Sequence, residues 1–153
     1  MTPIEVLGEV DRILDESKTA LLATLDSRGH PHLRWMTPRR LRDRPGHLYA
    51  VTERGAAKVA EIRHEPRVTW LVQRASLDVV ITVRGHAIVV EEPALLNDFL
   101  EAAGKDLFVL WHLHPAHVRP QLVLIETAIE EASRFHAGTG ETTSVSLVSA
   151  TPP

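Results

Sequence analysis

The stretch Thr52-Glu-Arg-Gly-Ala-Ala-Lys58 holds the residues best suited to chemistry. It runs from a short apolar segment into Ala56–Arg63, which reads as a helix, with Gly55 before it and Glu65-Pro66 after it. Lys58 falls in the first turn of that helix and Arg54 just ahead of it. A helix N-terminus carries roughly half a positive charge, so cations are unfavourable there unless an anion shares the spot. A phosphate would engage the free backbone N–H groups, the Thr52 hydroxyl and the Lys58 ammonium together. Two solvated cations satisfy the same pattern, at a cost of about a few tenths of a kcal/mol.

A second cluster is Arg34-Trp-Met-Thr-Pro-Arg39. On a strand, alternate residues share a face. Leu33, Trp35 and Thr37 then point one way, and His32, Arg34 and Met36 the other. An arginine beside an apolar side chain suits a ligand with an anionic end and a flat apolar body. A barrel strand with a core tryptophan and a solvated arginine reads the same.

The elements that must position these groups follow from periodicity. Ile4, Leu7, Val10 and Leu14 recur at helical spacing, which predicts one amphipathic helix within Met1–Lys18. Six strands are expected, at Thr19–Leu25, His32–Thr37, His47–Thr52, Arg67–Val72, Asp78–Val90 and Leu122–Ala132. Asp26-Ser-Arg-Gly-His-Pro31 is the turn of a first hairpin, and Arg39–Arg44 a basic loop closed by Pro45-Gly46. Gly85, in the middle of the longest strand, suggests a bulge or a sharp bend. Pro93–Ala103 is a third helix, with Pro in its first turn. Six strands with short links and three small helices make a mainly β protein, an antiparallel sheet closed or nearly so. Residues 1–136 form the one domain, and 137–153 a flexible Thr/Ser/Gly-rich tail.

Composition narrows the function. The 153 residues suit a single domain, and a net charge of −3 gives no support to nucleic acid or an anionic membrane as partner. With no cysteine, disulfides, thiolate metal sites and a cysteine nucleophile are excluded. The acidic start is no signal peptide, and the longest apolar runs are far short of the roughly 20 residues that span a bilayer. A cytoplasmic protein is expected. Trp111-His-Leu-His-Pro-Ala-His117 brings three histidines together, and in an extended segment His112 and His114 would share a face. Pro115 interrupts the segment and no carboxylate lies close by, so no metal site is expected. The serines lack an elbow motif, and there is no phosphate loop ending in Gly-Lys-Ser/Thr.

Taken in order, the segments are more specific than any one of them. The chain reads Leu21-Leu-Ala-Thr-Leu-Asp-Ser-Arg-Gly-His-Pro-His-Leu-Arg34, then Leu48-Tyr-Ala-Val-Thr52, Lys58, Glu65-Pro-Arg-Val68 and Val83-Arg-Gly-His-Ala87. This pattern, from about Ile4 to Phe135, resembles the pyridoxamine 5′-phosphate oxidase-like split-barrel flavoproteins, in particular their small general-stress-protein branch. The resemblance implies a six-stranded split β-barrel and a homodimer with an FMN site at each side of its interface. It implies that Arg34 and Lys58 hold the phosphate. The backbone of Trp35, Met36 and Thr37 would face the ring edge, and Val51 and Thr52 would contact the flavin. Arg54 would add charge, because Ala56 and Ala57 stand where the family often carries Ser-Arg or Ser-Pro. Val80 stands where the vitamin-B6 oxidases have a glutamine, so pyridoxamine phosphate is not the expected substrate.

The expected function is therefore an FMN-dependent oxidoreductase acting on a small molecule, with no catalytic residue assigned. Relatives of this fold in actinobacteria use the 8-hydroxy-5-deazaflavin coenzyme, and Arg34, Thr52 and Lys58 would serve that cofactor equally. A protein that binds flavin or haem without turnover fits the same residues; haem would need an axial ligand from the Trp111–His117 segment.

Overall fold

The computed structural model describes residues 1–148. Helix α1 (Pro3–Ser17) leads into the hairpin of β1 (Ala20–Leu25) and β2 (Pro31–Met36). Then come β3 (Arg39–Leu41), β4 (Arg44–Glu53), α2 (Ala57–His64), β5 (Arg67–Gln73) and β6 (Val79–Val90). Helices α3 (Pro93–Ala103) and α4 (Leu107–Leu113) precede β7 (Leu122–His136) and β8 (Glu141–Ser146). All pairings are antiparallel, in the order β2-β1-β5-β6-β7-β4-β3 with β8 also on β7. The sheet stays open between its two edges, β2 and β3, which follow one another in sequence across Thr37-Pro38. This is the split-barrel arrangement, mainly β with small helices.

The six expected strands are present, and two more join them. The basic segment expected to be a loop supplies β3, which pairs with β4 through Arg39 and Tyr49. The segment expected to be a flexible tail instead turns at Gly140 and returns along β7, from His136↔Glu141 to Glu131↔Ser146. Its strand is polar, but Val145 docks in the core and Leu147 packs against it. The remainder of that expected tail, 149–153, lies outside the described residues. Trp111–His117 is not extended either: α4 occupies its first half.

Local chemistry accounts for the elements. Thr2 and Glu5 close a capping box at the start of α1. That helix buries Val6, Leu7, Val10, Ile13 and Leu14, while Ile4, expected on the apolar face, is exposed in the first turn. In the first hairpin the Asp26 carboxylate accepts from the backbone N–H groups of Arg28 and His30, each at 2.9 Å, and Gly29 takes the left-handed φ of 79° that the turn requires. The main core gathers inward residues of α1 and the strands around Trp70, whose indole N–H donates to Thr127 Oγ1 at 3.0 Å. A second core lies where α3 and α4 cover the other face of β4, from Tyr49 and Val51 to Phe99 and Leu110. Among the described residues no helix is long and apolar enough to cross a membrane.

The longest strands, β6 and β7, carry the tightest constraint. Their register shifts between Arg84 and Gly85, leaving Glu130 unpaired as a bulge. A Cβ on Gly85 would lie 2.1 Å from the Ala128 carbonyl oxygen. No side chain fits there without parting the two backbones. We expect Gly85→Ala to destabilise the fold by about 3 kcal/mol or more. Thermal denaturation would show this as a fall in Tm of roughly 6–12 °C. A Tm within two degrees of wild type would show that the strands part freely.

Candidate functional site

Strand β4 delivers the first group. Its inward residues Leu48 and Ala50 lie in the main core, and Thr52, next on that face, is buried as the strand ends. The chain then turns, Ala56 N–H donating to Glu53 O at 3.0 Å, and α2 begins at Ala57. Ala56 is the N-cap residue, and no side chain caps the helix. Lys58, in the first turn, donates from Nζ to Thr52 Oγ1 at 3.1 Å. Its half-buried ammonium is held below the usual lysine range, mainly by burial and next by the Arg34 charge; Glu53 and Glu61 pull the other way. An amine that is half buried beside an arginine, at a bare helix start, has the chemistry to receive an anion.

Arg34 reaches this place from β2. Its Nη1 donates to Thr24 Oγ1 at 2.7 Å and to Leu22 O at 3.3 Å, both on the neighbouring β1. Its Nη2 donates to Glu61 Oε1 at 3.1 Å. Glu61, only 8% exposed, also accepts from the Thr24 hydroxyl at 3.2 Å. Its other oxygen lies 3.4 Å from His32 Nδ1, and His32 Nε2 lies 3.0 Å from Asp26 Oδ2. The guanidinium is thus fixed by two strands and a helix, pre-oriented but already half neutralised. Glu61 was not expected from the sequence. The signal was there: Lys58 and Glu61 are three apart in one helix and so share a face.

His114 is a second addition. It ends α4, half-buried, and its Nδ1 is buried without a hydrogen-bond partner. Burial lowers its pKa, Glu53 raises it and Lys58 lowers it, so it lies within the field of the same cluster. His112 and His117 are exposed. Among the described residues no group of three His, Cys, Asp or Glu is placed to hold a metal ion.

The other expected residues are dispersed. Met36 points into the main core, and Val51 into the second, leaving its backbone for any ligand. Trp35 is 77% exposed on the outer face of β2 beside Leu33. Arg54 is drawn to Glu91, Nε to Oε1 at 2.6 Å, an exposed ion pair that takes its charge off the helix start. Thr37 lines a cleft of about 910 Å³ between α1 and α3–α4, with Leu7, Leu14, Arg39, Phe99 and Leu110. This cleft is not the charged cluster, although Thr37 borders it next to the β2 strand that carries Arg34. The cluster has the chemistry: two cations, a hydroxyl and uncapped amides suit a phosphate, whereas two of the arginines that line the cleft are already paired. Arg39 is bonded to Ala102 O and Asp106, and Arg40 to Asp11.

Comparison with known proteins agrees on the fold. The chain's architecture matches general stress protein 26 of Bacillus anthracis at a TM-score of 0.66 and 24% identity, over 91% of this chain and 98% of that one. It matches a pyridoxamine 5′-phosphate oxidase-related, FMN-binding protein of Nostoc punctiforme at 0.62 and 13% identity, over 95% of each. It matches a heme-binding protein of Mycobacterium smegmatis at 0.67 and 19% identity, over 92% of this chain and 57% of that one. No curated protein matches the sequence. The sequence model of the pyridoxamine 5′-phosphate oxidase family matches residues 6–136, which span every element from α1 to β7, and the chain belongs to that family.

Proposed function

We propose that this protein binds the phosphate of a flavin cofactor, FMN first, at the start of α2, and acts as an oxidoreductase on a small molecule. The observation that carries the reading is the convergence of Lys58, Thr52 and Arg34 on a helix start that no side chain caps. Lys58 would neutralise the phosphate, Thr52 would donate its hydroxyl, and Arg34 would reach it from β2 while staying anchored to Thr24. The bound flavin would supply hydride or electron transfer through its ring. The protein's part is to hold the cofactor, shield it from water and leave one ring face open. The Nostoc neighbour, named as FMN-binding, supports this reading. The 8-hydroxy-5-deazaflavin coenzyme is the second reading, favoured by the carboxylates that crowd the site.

The partner in this reading is a second copy of the chain. Strand β2 is a sheet edge whose outer face exposes Leu33 and Trp35 next to half-buried Leu21 and Leu71. A contiguous apolar patch on an edge is a surface that association covers. The patch lies on the face of β2 opposite Arg34, so a dimer formed there would brace the strand that carries this residue.

Three outcomes are expected. Purified protein titrated with FMN gives a bound-flavin absorbance spectrum; a spectrum identical to free FMN at every ratio would end the proposal. Lys58→Ala raises the Kd for FMN by roughly 10–150-fold, the loss of one charge-assisted contact of about 1.5–3 kcal/mol. An unchanged Kd would make Lys58 a surface lysine. In sedimentation velocity the wild type runs as a dimer and Trp35→Glu as a monomer; equal behaviour of the two would remove β2 from the interface.

A further inference from the structure

We propose that the cleft between α1 and α3–α4 binds an organic carboxylate with an apolar body, its acid group held by Lys18 and Arg39. None of Arg34, Thr52 and Lys58 lines this cleft, so the inference does not rest on the flavin reading.

The cleft holds about 910 Å³, within the roughly 300–1,000 Å³ of sites that take small organic molecules. Apolar side chains line it from two sides, Leu7 and Leu14 from α1, and Phe99 and Leu110 from α3 and α4. An apolar body laid between them would take both surfaces out of water. The proposed dimer face, with Leu21, Leu33, Trp35 and Leu71, contributes nothing to the lining, which leaves the cleft to a small molecule.

Charge chooses the head group. Asp106 lies 3.0 Å from Lys18 Nζ through Oδ1 and 3.1 Å from Arg39 Nη2 through Oδ2. One carboxylate therefore serves two cations, and both of its oxygens are taken. Ala102 O accepts from Arg39 Nη1 at 2.6 Å, but a carbonyl brings no full charge. Lys18 carries three N–H donors, of which the contact with Asp106 uses one. All three side chains are part-buried, so solvent screens them less than it screens surface ions. The rest of the lining does not cancel the excess. Arg40 and Asp11 are bonded to each other through two contacts, and exposed Arg42 and Asp15 carry opposite single charges. Among the described residues no histidine lines the cleft, so this balance does not change across the neutral pH range.

The backbone fixes where the two cations stand. Lys18 is the left-handed residue that ends α1, its N–H bonded to Leu14 O at 2.9 Å, and Arg39 begins β3. A pair of cations sharing one counter-charge, beside apolar walls, suits a ligand with one acid group and an apolar remainder.

The test uses the full-length protein and two probes of one shape, 1-pyrenebutyrate and the neutral 1-pyrenebutyramide, with binding read by equilibrium dialysis at pH 7.5. Wild type should bind the acid about tenfold or more tightly than the amide. Lys18→Gln should cut that preference about fivefold or more, through weaker binding of the acid. Equal affinity for the two probes, or a preference that Lys18→Gln leaves intact, overturns the proposal. Val109→Trp, which fills the cleft from α4, should weaken both probes; unchanged binding would put them elsewhere and overturn it. The wild-type and Lys18→Gln results stand even if that variant does not fold. Displacement of the acid by decanoate or by 1-naphthoate supports the site and tells an aliphatic body from an aromatic one, and displacement by neither overturns it. Saturating FMN should leave binding of the acid unchanged. Competition by FMN would make the cleft part of the cofactor site, and loss of dimer in Val109→Trp would give it to a second copy; either result overturns the proposal.

Discussion

Strands β6 and β7 touch backbone to backbone where Gly85 faces Ala128, and most of the molecule hangs on that approach. The bulge there lets two strands of 12 and 15 residues stay paired over nearly their full length while the sheet bends. Their inward side chains, among them Ile81, Val83, Ile125 and Ala132, line the main core. Through β7 the bend also sets the course of β4, paired from His47↔Ala128 to Glu53↔Leu122. Strand β4 ends at Thr52, so the position of the candidate phosphate site follows from the curvature imposed at Gly85. A steric fact at one α-carbon thus reaches the chemistry through three paired strands.

The site itself is a balance of charges more than a pocket. Lys58 and Arg34 are costly to hold together, half-buried at a positive helix start. Glu61 relieves that cost through a part-buried ion pair that Thr24 also hydrogen-bonds. The cluster is thereby spared two unpaired cations.

Much of this was legible in the residue order, and the misses have physical causes. Strands with apolar alternation, such as Val79–Val90, announce themselves by period, and Gly85 stands out because a glycine weakens a strand that does not need it. Lys58 and Arg34 could be found because each sits at a fixed place on a local element. Strand β3 was hidden in Arg39-Arg40-Leu41, too short and too basic to show a pattern. Strand β8 was hidden because only Val145 of its six residues is buried, and the ladder to β7, not burial, forms it. The site's distant pairs were harder. Arg34 and Glu61 meet across 27 residues, and Arg54 is claimed by Glu91 across 37, which no local spacing announces. Nor does alternation say which face of a strand meets a ligand: the Trp35 side chain lies on the outer face of β2, and the Val51 side chain lies under α3 and α4.

Helix α1 adds a matter of timing during synthesis. It is made before every strand, yet its apolar face is covered by residues made much later, with Ile129 and Val145 in the same core and Arg134 bonded to Glu9 at 2.8 Å. At about 5–20 residues per second, the ribosome needs several seconds to a few tens of seconds to supply them. A helix of this length is marginal alone in water. Over that interval the nascent chain presents Val6, Leu7, Val10, Ile13 and Leu14 as an unsheltered stripe, which makes α1 the segment a holding chaperone would meet first.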